Sequence, residues 1–365
     1  MQNRWDENQA IQHKTDLELR AYSSRLLGED SSLVLAGGGN TSVKLQAKNT
    51  FGDNLEVLWV KGSGGSLRTI SPAGFAPVNL EHLTKLSNLE ELSDVQMMRE
   101  FRLALLEPDA PFPSVEAILH AILPHKWADH THADALVIIM NTPSGAARVR
   151  EIYGDSVIVV PYVMPGFELA KACKQAYAQQ FSSSTIGMVL LNHGVFSWGD
   201  TAKQSYDSMI EIVTRAEDFL EQKNAFNIPM PKLEQTASIR LQIAQLRFDI
   251  SSVAKRPMIV SKLEQDYGFS KRTDLESLAL RGVATVDHAS WTKHKPMLGR
   301  DVQGFSSMYK TYFETHSKSG ETMLDAAPRV VIDKELGVLS VGNSVKESQT
   351  VGDIYQHTIQ MIERA

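Results

Sequence analysis

Only one cysteine, Cys173, stands among the 365 residues, so no internal disulfide forms and a disulfide-stapled secreted domain is excluded. No apolar run approaches the roughly 20 residues that span a bilayer; the longest are short pieces such as Val157-Ile158-Val159-Val160. The N-terminal stretch Met1-Gln2-Asn3-Arg4-Trp5-Asp6 lacks the apolar core of a secretory signal. Positive charge is also in short supply. With 37 Lys and Arg against 43 Asp and Glu, the net charge is −6, which disfavours a broad nucleic-acid or membrane surface but leaves room for a local phosphate pocket. There is no Walker-type Gly-x-x-x-x-Gly-Lys loop. There is also no Gly-x-Gly-x-x-Gly fingerprint with its downstream helix and acidic residue, which argues against nicotinamide binding within this chain. These absences predict a cytoplasmic protein acting on a small anionic partner, with no nucleic acid and no membrane.

What is present suffices for two domains, since 42% of the residues are hydrophobic and domains usually run about 50 to 250 residues. Residues 14–30 read as an amphipathic helix with Leu17, Ala21, Ser24 and Leu27 on one side, charges on the other and Gly28 as a stop. Residues 33–45 read as strand, glycine turn, strand, and 55–60 as a further strand before Lys61-Gly62-Ser63-Gly64. Helices are expected over 97–106, 115–122, 167–181 and 202–222, and strands over 135–140, 156–160 and 188–197. The prolines of Asn227-Ile228-Pro229-Met230-Pro231-Lys232 mark a linker, placing domains at 1–232 and 233–365. Beyond it we expect a helix over 236–248, a strand over 258–261, a hairpin pairing 329–332 with 338–341, and a final helix over 349–364.

The chemistry-bearing residues cluster in the first domain. His130-Thr-His132 places two imidazoles on the same face if the segment is a strand. His193 lies in the apolar run Leu190-Leu191-Asn192-His193-Gly194-Val195-Phe196, where a buried ring requires a metal or a hydrogen-bond partner. Three histidines with a nearby carboxylate, Glu116, form a ligand set for a divalent metal with an open position, Zn2+ first among candidates. Alone, an H-x-H pair is more often structural, and Glu116 could be a solvated helix-start glutamate favoured by the dipole. Gly37-Gly38-Gly39-Asn40-Thr41-Ser42 and Lys61-Gly62-Ser63-Gly64 could present N–H groups, hydroxyls and an ammonium to phosphate, although either alone is more often a tight turn.

Five motifs in order, Gly39-Asn40-Thr41-Ser42, Ser63-Gly64, Ser114-Val115-Glu116, His130-Thr-His132 and Asn192-His193-Gly194, resemble the class II aldolase/adducin family over roughly residues 15 to 222. The resemblance implies an α/β fold: a three-layer domain with a mixed, mostly antiparallel central sheet, plus a smaller α+β C-terminal domain. It implies that His130, His132 and His193, with Glu116, bind Zn2+ or another divalent metal. Glu116 would also exchange the proton at the nucleophilic carbon, and Asn40, Ser63, Gly64 and Ser114 would hold the substrate phosphate. Val115 departs from members that carry a second serine there. Pro161-Tyr162 is similar to a dipeptide whose tyrosine serves as acid/base in a neighbouring subunit's site, making Tyr162 the second catalytic candidate and Asp155 a weaker one.

The whole chain resembles the aldolase half of bacterial fusions that join a rhamnulose-1-phosphate aldolase to an alcohol dehydrogenase. The implied partners are therefore a small phosphorylated sugar, further copies of the chain in a homo-oligomer such as a tetramer, and a dehydrogenase as partner or fused domain. The implied reaction is cleavage of a ketose 1-phosphate to dihydroxyacetone phosphate and an aldehyde through a metal-stabilised enediolate. The alternatives are an epimerase or decarboxylase on the same scaffold, or a non-catalytic adducin-like assembly module, against which the retained histidines and Glu116 argue. His288 of the second domain could reach the active site, the plainer expectation being a loop histidine with no catalytic use.

Overall fold

A computed structural model describes residues 1–227, 239–318 and 320–365. The chain forms two compact units, Met1–Asn224 and Ala225–Ala365. The expected boundary at 232 and its prolines lie outside the described residues.

The first unit is built on seven strands: β1 Asn40–Lys48, β2 Asn54–Lys61, β3 Phe75–Asn79, β4 Trp127–Thr131, β5 Val157–Val160, β6 Gly187–Leu190 and β7 Gly194–Gly199. They lie in the order β3-β2-β1-β4-β7-β6-β5, and every neighbouring pair is antiparallel except β5 with β6. Helices cover both faces, giving the three layers. On one face Phe101, Ile118, Leu119 and Phe167 pack against Val60, Val78, Ile158, Leu190 and Phe196. On the other, Leu17, Ala21 and Ala202 meet Val34, Val43, Trp59 and Trp127. Burying one such large side chain contributes about 1.5–3 kcal/mol, so the sheet at the centre of the sandwich is the rigid part on which a site can be built.

Several segments differ from the sequence expectation. Residues 135–140 are not a strand but part of the helix Asp134–Met140, buried on every side; a continuous apolar run carries no period to separate the two. Residues 33–36 are a turn region rather than a strand, leaving β1 to begin at Asn40. The single strand expected over 188–197 is the pair β6 and β7, folded back through Leu191-Asn192-His193, with Asn192 in the left-handed region at φ +59°. Helix Asp16–Gly28 opens with a capping box between Thr15 and Glu18, but its charges do not all face water, because Arg20 is fully buried.

The second unit holds β8 Ile259–Lys262, β9 Met297–Leu298, β10 Val330–Asp333 and β11 Gly337–Gly342, in the order β8-β11-β10-β9. The expected hairpin is β10 with β11, turning at Asp333 and Gly337, the latter at φ +84°. Alternating residues feed two cores, Val331, Leu339 and Val341 against helices Arg240–Ala254 and Val302–His316, and Val330, Ile332 and Val338 against helix Val345–Arg364. The last helix begins four residues before the expected 349, and the helix expected over 236–248 is described from Arg240 and runs on to Ala254. Among the described residues, no helix is long and apolar enough to cross a membrane.

Candidate metal centre

β4 lies mid-sheet, so its residues alternate between two covered faces. Trp127 and Asp129 face the side of helix Asp16–Gly28, where Asp129 meets Arg20. His130 faces the other way, its ring stacked on Phe196 with centroids 4.3 Å apart. His132 lies just past the strand end, its N–H donating to the Leu33 carbonyl at 3.1 Å. His193 comes from the turn between β6 and β7, where its N–H donates to the Leu190 carbonyl at 3.1 Å. Gly194 explains the rest of that motif: a Cβ there would lie 2.5 Å from the Thr131 carbonyl oxygen, 2.7 Å from His132 Cδ2 and 2.9 Å from His130 Cε1. Only glycine leaves room for the histidine rings.

The three imidazoles offer ligand nitrogens that all lie within 4.8 Å of one another. His130 Nε2 is 3.0 Å from His132 Nε2 and 3.3 Å from Glu116 Oε2, and His193 Nε2 is 3.5 Å from Glu116 Oε1. Four ligands at about 2.0–2.1 Å around one tetrahedral ion would be spaced about 3.3 Å apart, close to these separations. The tautomer agrees: His130 Nδ1 lies 3.1 Å from the Val195 carbonyl, an acceptor, so Nδ1 carries the proton and the Nε2 lone pair faces the cluster. With His132 in the same tautomer, a cation between the two rings would take both Nε2 lone pairs. Glu116 Oε1 is buried with no hydrogen-bond partner, a further opening for a cation. Burial, with help from His193 and His120, holds the His130 pKa well below its usual range, which keeps the ring neutral as a ligand must be. The residues present thus fit a divalent metal.

Glu116 occupies the position just before helix Ala117–Ile122, but its carboxylate caps nothing; it is 6% exposed and turned inward. Asn40 Nδ2 donates to Glu116 Oε2 at 2.7 Å, and the side-chain Oδ1 of Asn40 accepts from His120 Nε2 at 2.5 Å. His120 Nδ1 then accepts from Ser42 Oγ at 2.7 Å. Ser42, His120, Asn40 and Glu116 therefore form a chain of donors pointing one way, ending on the carboxylate. Burial pushes the His120 pKa down to about 3, so it serves as a neutral link. His120 did not figure among the expected site residues, and Ser42 figured only as part of the glycine turn, although His120 lies one helical turn beyond Glu116, a spacing that shares a face.

The glycine loops lie beside this centre. Ser114 is buried, its N–H donating to the Lys61 carbonyl at 3.0 Å and its Oγ accepting from the Glu116 N–H at 3.3 Å. Ser63 N–H donates to the Phe112 carbonyl at 2.7 Å, and Lys61 Nζ reaches the Gly37 carbonyl at 2.9 Å. A Cβ on Gly37 would come within 3.0 Å of the Gly64 carbonyl oxygen, so the two loops are in close approach. Asn40, Ser63, Gly64 and Ser114 thus stand on linked segments, with Ser63 and Gly64 exposed and Asn40 and Ser114 buried. Val115 is 41% exposed. Tyr162 is 47% exposed just beyond β5, its hydroxyl 3.8 Å from Met164 Sδ. Asp155 is exposed in the turn Gly154–Ser156. In the second unit His288 is buried in helix Val286–Thr292, Nδ1 3.3 Å from Thr358 Oγ1, and burial lowers its pKa to about 4.

Comparison with known proteins agrees with this geometry. The family model described as the class II aldolase and adducin N-terminal domain matches residues 18–220, and the one described as the second domain of class II aldolase matches 237–365. A solved N-terminal class II aldolase domain of a conserved protein from Thermoplasma acidophilum is 40% identical, covering 60% of this chain and 99% of its own, with a TM-score of 0.56. A Bacillus subtilis (strain 168) protein, the uncharacterized oxidoreductase YuxG, is 29% identical over 388 residues, covering 99% of this chain. The chain spans 56% of that relative's length. With its sheet order, its histidine cluster and both family domains in sequence, the chain belongs to the class II aldolase and adducin family.

Proposed function

We propose that the chain is a divalent-metal-dependent carbon-carbon lyase that cleaves a ketose 1-phosphate, rhamnulose 1-phosphate first, into dihydroxyacetone phosphate and an aldehyde such as lactaldehyde. The observation that carries this reading is the convergence of His130, His132 and His193 on one point beside a buried, partly unpartnered Glu116. A divalent cation bound there, Zn2+ first, would supply Lewis-acid stabilisation of the negative charge that develops on the substrate oxygens as the bond breaks. Glu116 then has two distinct oxygens. Oε2 is held by Asn40, which fixes the carboxylate plane, while Oε1 has no hydrogen bond and would take up a proton from solvent and pass it to the carbon left by cleavage. Tyr162, presented to a neighbouring copy of the chain, takes the proton from the hydroxyl of the carbon that leaves as the aldehyde. Asn40, Ser63, Gly64 and Ser114 are proposed to hold the phosphate, with the close approach of the glycine loops as support. The longer Bacillus subtilis relative is named an oxidoreductase, which supports a dehydrogenase, fused or separate, as the consumer of the aldehyde.

The test is release of dihydroxyacetone phosphate from rhamnulose 1-phosphate and related ketose phosphates, with Zn2+ present and after chelation. Chelator-sensitive release is expected, and Glu116→Gln should slow it by at least about a hundredfold while the protein keeps bound metal. Bound metal with no cleavage of any ketose phosphate would refute the aldolase reading and leave an epimerase or decarboxylase.

A further inference from the structure

The second unit contains a cleft of about 480 Å3, a size that suits a small metabolite, and its wall includes Arg256, Lys293, Arg329, Asp325, Met323 and Leu324. Asp325 is saturated. Arg329 grips both of its oxygens at 3.0 and 2.6 Å, Arg256 adds a contact at 2.8 Å, and the Ala327 N–H a fourth at 3.2 Å. Lys293 follows helix Val286–Thr292 with φ +61°, and its side chain is buried inward, 3% exposed as a residue. Its Nζ donates to the Asp325 backbone carbonyl and lies 3.8 Å from the centre of the Tyr309 ring. Burial and the Arg329 charge push this amine down to about 7. Three cationic side chains thus share the cleft with two carboxylates, Asp325 and Glu347. Glu347 stays on the cleft wall, accepting at 2.7 Å the N–H of Asn343, which lines the cleft as well. With Lys293 protonated, the three cationic groups exceed the two carboxylates by one positive charge in a partly buried place, which an anion would complete.

We infer that this cleft binds a small molecule bearing an oxyanion, a phosphomonoester or a carboxylate, with Arg256, Lys293 and Arg329 on its charged end and Met323 and Leu324 on its carbon skeleton. Arginine and a buried ammonium are the side chains suited to charge-assisted bonds with such groups. This site is separate from the phosphate subsite proposed for the first unit and stands whether or not the lyase reading holds.

The test uses the full chain, wild type and Arg256→Gln, titrated calorimetrically with inorganic phosphate and with butyrate at constant ionic strength. Arg256 is half-exposed, so the substitution should leave the fold intact. Any anion site in the first unit contributes equally to both proteins. Weakening of about tenfold in Arg256→Gln is expected for the anion that fits; phosphate alone points to a phosphomonoester, butyrate alone to a carboxylate. On wild type, the same anion should slow acetylation of Lys293, followed by peptide mass. Identical isotherms for both proteins, with Lys293 acetylation indifferent to both anions, would overturn the inference.

Discussion

Asp129→Asn should destabilise the first unit more than almost any other single change of equal size. Both Asp129 and Arg20 have side chains with no solvent exposure, and Arg20 Nη2 lies 2.5 Å from Asp129 Oδ1. The guanidinium also reaches the carbonyls of Ser42 at 3.3 Å and Ala128 at 3.4 Å, while Ser205 Oγ donates to Asp129 Oδ2 at 2.5 Å. The cluster ties helix Asp16–Gly28 and helix Ala202–Gln222 to β1 and β4. Burial alone lowers the Arg20 pKa, opposed by Asp129, so the pair exists only because each charge answers the other. Removing one partner should cost about 3–5 kcal/mol, a large part of the roughly 5–15 kcal/mol that holds a domain folded. Arg20→Met should cost a similar amount. The double variant should cost less than the sum of the two by at least about 2 kcal/mol, because no lone buried charge remains. Urea unfolding followed by tryptophan fluorescence reports on this directly, since the Trp127 ring lies 5.5 Å from the Arg20 guanidinium carbon. Single variants costing under about 1 kcal/mol, or additive effects, would show that the buried pair does not hold these elements together. Asp129 also precedes His130 on β4, so the single variants should hold metal less tightly.

Gly194→Ala should leave the far-UV spectrum unchanged but weaken metal binding at least about tenfold, because its methyl meets the His130 and His132 rings at 2.9 and 2.7 Å; wild-type affinity by metal titration would contradict this. Acid should destabilise the first unit through His120. Its pKa is lowered from 6.5 to about 3, so the unfolded chain takes up a proton that the folded chain refuses. Its contribution is complete above about pH 6.5 and is lost as pH falls toward 3, at up to about 1.4 kcal/mol per pH unit. His120→Gln should flatten that slope in pH-dependent unfolding, and an unchanged slope would speak against a neutral buried His120.

The candidate site was legible in the sequence because its histidines sit in short motifs whose residue types have few other uses. The glycine after His193 and the two-residue spacing of His130 and His132 are local facts, and the structure gives each a steric or alternation reason. What could not be read depends on distant partners. Arg20 looked like one more charge on an amphipathic helix because the residue that neutralises it lies 109 positions away. The helix Asp134–Met140 and the division of 188–197 into β6 and β7 were hidden for related reasons: burial on all sides erases periodicity, and the bend at left-handed Asn192 interrupts an apolar run that continues on both sides of it. His120 was within reach, one turn from Glu116, but its part depends on Asn40 and Ser42, brought to it by β1.

His130, His132 and His193 with Glu116 are the groups that would hold one divalent ion. Elemental analysis of the chain loaded with Zn2+ and then desalted, alongside His130→Ala and His193→Ala, tests this most directly. One ion per wild-type chain is expected, lost in both variants while the fold is kept; a wild-type chain that retains no metal, or variants that retain it in full, would overturn the metal site.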